Sequence, residues 1–466
     1  MSCSVSGPRP AGRLAKVGDW LREHAGLIRL LQWLVVLVYA VLLIVPAVLP
    51  LPDETAHVWN HITLLAEFAF WGIWWPFVLL SMLLFGRLWC GVLCPEGALA
   101  EWAARHGKGR PIPRWMRWGG WPFVAFVCTT VYGQMVSVYQ YPKAALLVLG
   151  GSTVAAMAVG YWYTRGKRAW CRYLCPVNGV FSLLSKLAPV HFRVNEAAWQ
   201  ASVANKRSIP IKAVDCAPLQ PIRQMQGGSG CHMCGRCSSH RDAVALSWRS
   251  PSDEVVRLGA SEADGWQTLL IVFGLQGVAI GAFHWSASPW FVAIKQALAE
   301  WLIDHEWFWP LDSNAPWWLF THYPEKNDVF SWLDGGLLLA YIAATALVLG
   351  LGGMLSLALA VRSAGRWQWQ RLHHLAQALI PLAGCGVFLG LTAVTLALLR
   401  GEGVYWFWIN DLRLALLLAA NLWSLWLAQG IVRQWCTGWR LLLPLLAFAA
   451  GLAWVDSAWG WLFWWW

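Results

Sequence analysis

Apolar stretches of about 20 residues, each long enough to cross roughly 30 Å of hydrocarbon, recur along this chain. They lie at Leu27–Leu49, Ile62–Phe85, Trp121–Tyr139, Ala144–Tyr163 and Trp266–Trp285, then at Trp332–Ala360, Leu375–Leu399, Leu412–Val432 and Leu441–Trp464. A backbone in lipid must satisfy its own N–H and C=O groups, so such stretches fold as helices. The pattern predicts an all-α polytopic membrane protein with about nine transmembrane helices. Composition agrees: 58% of residues are hydrophobic and only 13% charged. The 38 Trp suit many interfacial crossings, where an indole keeps its ring in lipid and its N–H near water. The terminal Gly460 to Trp466 run reads as such an anchor.

The formal charge of +11 raises nucleic acid as a partner, but the basic residues cluster in loops beside apolar segments, as the positive-inside bias requires. We therefore exclude nucleic acid and take the lipid bilayer as the partner. The loop from Arg87 to Arg117 carries Arg105, Lys108, Arg110 and Arg114. The loop from Arg165 to Arg257 carries Lys167, Arg168, Lys186, Lys206, Arg207, Lys212 and Arg223. Both are expected on the cytoplasmic side of a bacterial-type cytoplasmic (inner) membrane. Asp53, Glu54 and the Asp304-His305-Glu306, Asp312, Glu325 and Asp328 stretch fit the opposite side. Arg9, Arg13, Lys16 and Arg22 precede a first helix with no cleavage site, which is expected to be retained. The N-terminus is then cytoplasmic and the C-terminus outside. Cys3 invites lipidation, but no apolar region precedes it, and we read it as incidental.

Four regions follow: a cytoplasmic N-terminal segment (1–26), a four-helix membrane unit (27–186), a cytoplasmic extramembrane segment (187–264) containing the flexible turn Gly227-Gly228-Ser229-Gly230, and a C-terminal membrane domain of about five helices (265–466).

Of twelve Cys, eight lie in or beside the loops assigned to the reducing cytoplasm, where metal ligation is a better expectation than disulfides. Arg87-Leu88-Trp89-Cys90-Gly91-Val92-Leu93-Cys94-Pro95 and Arg168-Ala169-Trp170-Cys171-Arg172-Tyr173-Leu174-Cys175-Pro176 share Arg-x-Trp-Cys-x-x-Leu-Cys-Pro. The chain thus contains a duplicated unit of two helices followed by a cysteine hook. Spacing i to i+4 predicts both thiols on one face of a helical turn, and the Pro after the second Cys disfavours helix in the residue before it. Cys90, Cys94, Cys171 and Cys175 would complete a [4Fe–4S] site if the hooks meet. A zinc site wants the same four ligands, but Cys followed by Pro recurs at cluster ligands and favours iron–sulfur. The three-cysteine site of radical enzymes fails, because Gly97 and Gly179 stand where another Cys would be sought.

Cys231-His232-Met233-Cys234-Gly235-Arg236-Cys237 is the C-x-x-C-x-x-C core of a bacterial ferredoxin. The usual fourth Cys is replaced by Arg241; in two-cluster ferredoxins that residue serves the other cluster, so its loss leaves the first intact. Cys216, with Pro218 nearby, is the remaining candidate, giving one ferredoxin-like site from Cys216, Cys231, Cys234 and Cys237. His240 could replace a ligand, but the cysteine set is already complete.

At these residues the chain resembles membrane-bound 4Fe–4S polyferredoxins related to the nitrous-oxide reductase regulator and to the membrane iron–sulfur subunit of periplasmic nitrate reductase. Those proteins carry two Cys-x-x-x-Cys-Pro hooks at the cytoplasmic side of a small helix bundle, then a ferredoxin-like segment. The resemblance runs from about Leu30 to Asp242. It implies electron transfer, with quinol, a flavoprotein or another redox subunit as partner. Two departures set this chain apart: its ferredoxin segment is cut to one cluster, and no flavin-attachment domain precedes the first helix. Nothing from Trp266 onward is covered.

Other residues carry weaker signals. Glu67, inside the second helix, is an intramembrane carboxylate and so a candidate proton acceptor for quinol oxidation. His373 and His374 stand at the inner start of the seventh helix, as quinone contacts or headgroup contacts. A haem would need two facing imidazoles; His57, His61 and His284 are candidates, which we read instead as interfacial polar residues. Cys128, Cys385 and Cys436 stand alone and are expected to be packing residues.

The leading expectation is a membrane electron relay with two [4Fe–4S] clusters, an oxidoreductase subunit if quinol-linked. Its alternatives are a maturation or regulatory factor that uses the clusters to reduce a metal or sense redox state for a partner enzyme, and a zinc-stabilised membrane protein.

Overall fold

A computed structural model describes residues 12–53, 55–204 and 213–466. Cys3, Arg9, Glu54, Lys206, Arg207 and Lys212 lie outside these residues. The chain is mostly helical with little sheet. Among the described residues, eight helices are long and apolar enough to cross a membrane: Ala25–Val48, Ile62–Phe85, Pro142–Trp162, Gly265–His284, Trp332–Ser363, Trp369–Gly401, Ile409–Val432 and Gly438–Trp465.

The third expected span differs. Its helix covers Trp121–Met135, 15 residues, about 22 Å at 1.5 Å per residue and short of the hydrocarbon thickness. It stops because Ser137 turns left-handed at φ 51° and the Val138 N–H returns to the Gly133 carbonyl at 2.8 Å. A helix that hydropathy did not isolate, Pro289–Asp304, begins at Ser288, whose hydroxyl accepts from the Phe291 N–H. Pro289 occupies the first helical position, where a missing N–H costs nothing.

The chain divides into two compact units. One comprises the described residues up to Val41, with those of Val78–Trp121 and Ser152–Leu258. It contains every patterned cysteine. Strands β1 (Val190–Val194) and β2 (Val244–Trp248) pair antiparallel, with Phe192 opposite Leu246. Val190, Phe192, Val244 and Leu246 form an apolar core with Met225, Met233 and Cys231. The helix Arg13–Glu23 packs on this hairpin through Gly18, where a Cβ would lie 3.1 Å from the Phe192 ring and 3.2 Å from Leu246 Cβ. Asp19 accepts hydrogen bonds from Ser238 and Ser239 at the helix edge.

The other unit comprises Leu42–Phe77, Pro122–Gly151 and Gly259–Trp466. Its helices approach closely at small residues: a Cβ on Gly277 would lie 2.8 Å from the Ala346 Cα, and one on Gly281 3.1 Å from the Ile342 Cα. Small-residue contacts of this kind suit helix association in lipid. One polar pair inside it is formed by Asn421 Nδ2, which donates to Asp456 Oδ2 at 2.8 Å. The helix Trp332–Ser363 opens with a capping box between Ser331 and Asp334.

Candidate metal centre

The hooks are built by proline. Cys90 sits in the short helix Leu88–Val92, but Cys94 does not share it. Pro95 imposes extended backbone on Cys94 (φ −65°, ψ 116°) and starts a new helix, Pro95–Arg105, whose Gly97 N–H donates to Cys94 Sγ at 3.3 Å. The second copy repeats this: Cys171 lies in Ala169–Tyr173 and Cys175 beyond it, before the helix Asn178–Ser185. Cys94 thus leaves the helical turn that carries Cys90, at the residue where the following proline disfavours helix. Each hook is a helical turn, a break at Cys-Pro and a second helix, because the residue before proline avoids helical backbone.

The structure brings Cys90, Cys94, Cys171 and Cys175 within electrostatic reach of one another. Burial, then the Cys171 and Cys90 charges, push the Cys94 thiol well up. Cys175 rises well up through burial, Glu96 and the other three thiols. Burial raises Cys171 to about 12 despite Arg168. Glu96, the residue after the Cys94-Pro95 pair, is itself raised by burial and accepts from the Ser152 hydroxyl at 2.6 Å.

The second set also assembles. Burial and then Cys234 raise Cys231 to about 12, with Cys216 adding to the effect. Cys237 rises through burial, Cys231, Cys234 and Cys216, and Cys216 through burial. The remote ligand is carried in by the second hook: the Arg168 N–H donates to the Ala217 carbonyl (2.8 Å), and Arg172 Nη1 donates to the Pro218 carbonyl (3.1 Å) and Gln220 Oε1 (2.9 Å). Met233 (φ 53°) and Gly235 (φ 75°) make the left-handed turns between the cysteines. His240 packs edge-on to Trp199, centroids 5.5 Å apart.

The sets adjoin through backbone. A Cβ on Gly91, within the first hook, would overlap the His232 carbonyl oxygen and lie 3.0 Å from the Cys234 nitrogen. Gln32 Nε2 holds the same residue through its carbonyl at 2.9 Å. All described cysteines are free thiols. Four buried thiols cannot all ionise unaided, since each thiolate raises the next. A bound group carrying iron cations offsets that repulsion, so the donor set fits a [4Fe–4S] cluster. Among the described residues no three His, Cys, Asp or Glu side chains gather closely enough for a single metal ion.

Motif reading missed the charges around these thiols. Glu101 Oε2 accepts from Arg168 Nε at 2.9 Å, and its carboxylate also meets Arg105 (2.6 Å) and Arg236 (2.7 Å). Burial alone would raise Glu101, but Arg168 and Arg236 outweigh it and hold the carboxyl at about 2. Arg87, 4% exposed, donates to Asn178 Oδ1 at 2.7 Å and the Ser229 carbonyl at 3.1 Å. A signal was present: both arginines belong to the repeated motif.

In the second unit, Glu67 lines a cavity of about 20 Å³ with Thr63, Phe70, Trp71, Tyr139 and Tyr141, room for about one water. A π-helical segment, Phe68–Trp74, follows it directly, and such widened turns concentrate at functional sites. His373 Nδ1 meets the Thr268 hydroxyl at 3.0 Å, and the buried His374 ring lies 6.2 Å from Trp435. The haem candidates have separate surroundings: His57 pairs with Glu402 at 3.2 Å, His61 caps Thr63, and His284 lies among Trp459 and Trp466.

Residues 68–113 and 147–195 match the family model of a 4Fe-4S binding domain. Each stretch contains one hook. Over 252 residues the chain is 23% identical to "Putative electron transport protein YccM" of Escherichia coli (strain K12), covering 49% of this chain and 68% of that protein. No solved structure matches. The family match and this relative support a 4Fe–4S electron-transfer protein. The eight apolar helices associate it with a lipid bilayer.

Proposed function

We propose that this chain is a membrane electron relay of the polyferredoxin type related to the nitrous-oxide reductase regulator and the membrane subunit of periplasmic nitrate reductase. Two [4Fe–4S] clusters are held, one by Cys90, Cys94, Cys171 and Cys175, the other by Cys216, Cys231, Cys234 and Cys237. When bound, the clusters accept and release single electrons. The chain's own residues bury the sulfurs, supply fixed cations beside them and key one site against the other. The observation that carries this reading is the contact of Gly91 with the His232–Cys234 backbone, which sets the first hook directly against the ferredoxin-like loop.

The relay takes electrons from quinol or a cytoplasmic flavoprotein and passes them to a redox partner, with Glu67 accepting a proton on the quinol route and His373 and His374 as further quinone contacts. The hooks belong to the 27–186 unit and the ferredoxin-like site to 187–264, both serving the cytoplasmic face of an inner membrane. The match of both hook regions to a 4Fe-4S binding domain favours clusters over zinc.

Iron and acid-labile sulfide per chain test this directly, with about eight of each expected. Stoichiometric zinc without iron would sink it. In vesicles, quinol should bleach the cluster absorbance; bleaching by dithionite alone would redirect the reading toward a maturation or regulatory factor. Unchanged iron in a Cys90→Ala, Cys171→Ala double variant would remove the hook site.

A further inference from the structure

Arg168 stands between the two cysteine sets. Its side chain is 1% exposed. Nε donates to Glu101, Nη1 donates to the Cys90 carbonyl at 2.5 Å, and the guanidinium covers Gly97, where a Cβ would lie 3.1 Å from Nη1. The third nitrogen, Nη2, is buried and has no hydrogen-bond partner among the described residues. The guanidinium charge acts on Cys94 and Cys171 of one set and on Cys234 of the other.

A buried N–H without a partner is costly, so the placement of this one matters. In Arg168 it belongs to a guanidinium whose charge reaches thiols of both sets. Hydrogen bonds to cluster sulfurs and nearby charge are two of the means by which a protein sets cluster potential. Each reduction adds one electron, and so one negative charge, to a site where burial strengthens every charge interaction. Glu101 opposes the effect. It is shared among Arg105, Arg168 and Arg236, so it subtracts from the cation without cancelling it.

We propose that Arg168 is a positioning residue whose single cation raises the reduction potentials of both cluster sites together, with Glu101 as the carboxylate that limits the rise. The proposal rests on the reading that both cysteine sets hold clusters. It predicts a pair of sites whose potentials cannot be set independently.

The test is a dithionite titration of the purified full-length protein, followed by the paramagnetic signals of the reduced clusters. Arg168→Gln should lower both midpoints by at least tenfold in the reduction constant, about 59 mV for one electron. Glu101→Gln should raise both. Opposite shifts at both sites with unchanged iron content are not what a merely structural role gives. Arg168→Lys, which keeps the charge, should stay closer to the parent than the Gln variant. Retained iron with unmoved midpoints, or movement at one site only, overturns the proposal. So does loss of iron from the Gln and Lys variants alike. If Gln loses iron and Lys does not, the sign of the Glu101→Gln shift decides. Absence of iron from the parent chain is a different failure: it removes the cluster reading before any variant is made.

Discussion

Arg87 and Arg168 occupy the same position in the two copies of the hook motif, and each reaches out of its own copy into the other. Arg87 Nη2 donates to Asn178 Oδ1 at 2.7 Å, three residues past Cys175. Arg168 packs over Gly97, three residues past Cys94, and goes on to Glu101. The repeat is thus an interlocked pair in which one copy offers an amide and the other an open glycine backed by a carboxylate.

Arg87→Ala should therefore damage the second hook and the Cys231 loop rather than the first. It strands the buried Asn178 amide oxygen, a loss of about 1–3 kcal/mol, and the half-buried Ser229 carbonyl, a smaller one. The expected outcome is a lower thermal midpoint and reduced iron per chain, measured on protein purified without added metal. Arg87→Lys should rescue poorly, because an ammonium cannot make the forked contact.

Two glycine variants separate close backbone approach from ordinary packing. In Gly91→Ala the new methyl meets the His232 carbonyl and the Cys234 nitrogen, both backbone atoms, so the two cysteine sets must move apart. Iron should fall toward half or less of the parent value. In Gly97→Ala the closest contact of the new methyl is the Arg168 guanidinium at 3.1 Å, and the nearest backbone atom, the Cys90 carbonyl oxygen, stands at an ordinary 3.6 Å, so iron should stay near parental. Equal iron in both variants would contradict the keyed contact.

His191 gives the hairpin a pH dependence. Burial, with the charge of Arg249, pushes its imidazole down to about 4 from an ordinary 6.5. As pH falls the unfolded chain takes up this proton first, so the stability carried by neutral His191 is complete above about pH 6.5 and disappears between there and about pH 4. The span corresponds to about 3 kcal/mol. Hydrogen exchange at β1 and β2 amides, corrected for intrinsic rates, should quicken across that window. His191→Leu should flatten the response.

Glu67→Gln tests the proton route. The substitution keeps the shape beside the small cavity and removes the basic group. Quinol-driven reduction of the clusters in vesicles should fall at least tenfold while dithionite still reduces them fully. An unchanged quinol rate would exclude Glu67 as proton acceptor.

Much of this architecture was legible because lipid and metal both write simple patterns. Eight of the apolar stretches form membrane-length helices, and the cysteines picked out by spacing lie close enough to influence one another's charge. What stayed hidden depends on three dimensions. The Trp121 helix ends early at a left-handed Ser137 that hydropathy cannot register. Arg13, Lys16 and Arg22 read in sequence only as basic residues ahead of the first membrane helix, yet they lie on a helix, Arg13–Glu23, whose Gly18 face packs on the strand hairpin. Glu101 reads as an ordinary helix-surface carboxylate until Arg168, 67 positions away, is folded onto it. The proline after Cys94 told in sequence that this residue would leave the helix, but the helix Pro95–Arg105 that begins there, and carries Glu101, was not read from the motif.

Position 241, where a two-cluster ferredoxin would carry its fourth cysteine, is occupied by an arginine at φ 56°, flanked by Ser239 at 63° and Asp242 at 55°. Its guanidinium lies 5.3 Å from the centre of the Trp199 ring. Left-handed backbone at three of four consecutive non-glycine positions is conformationally costly, and here it is held by the hairpin and by stacking on that ring. Restoring the thiol by R241C would yield a solitary cysteine on a rebuilt turn. For anyone engineering a longer electron wire into this scaffold, the missing relay point would have to be regained as a whole loop, backbone included.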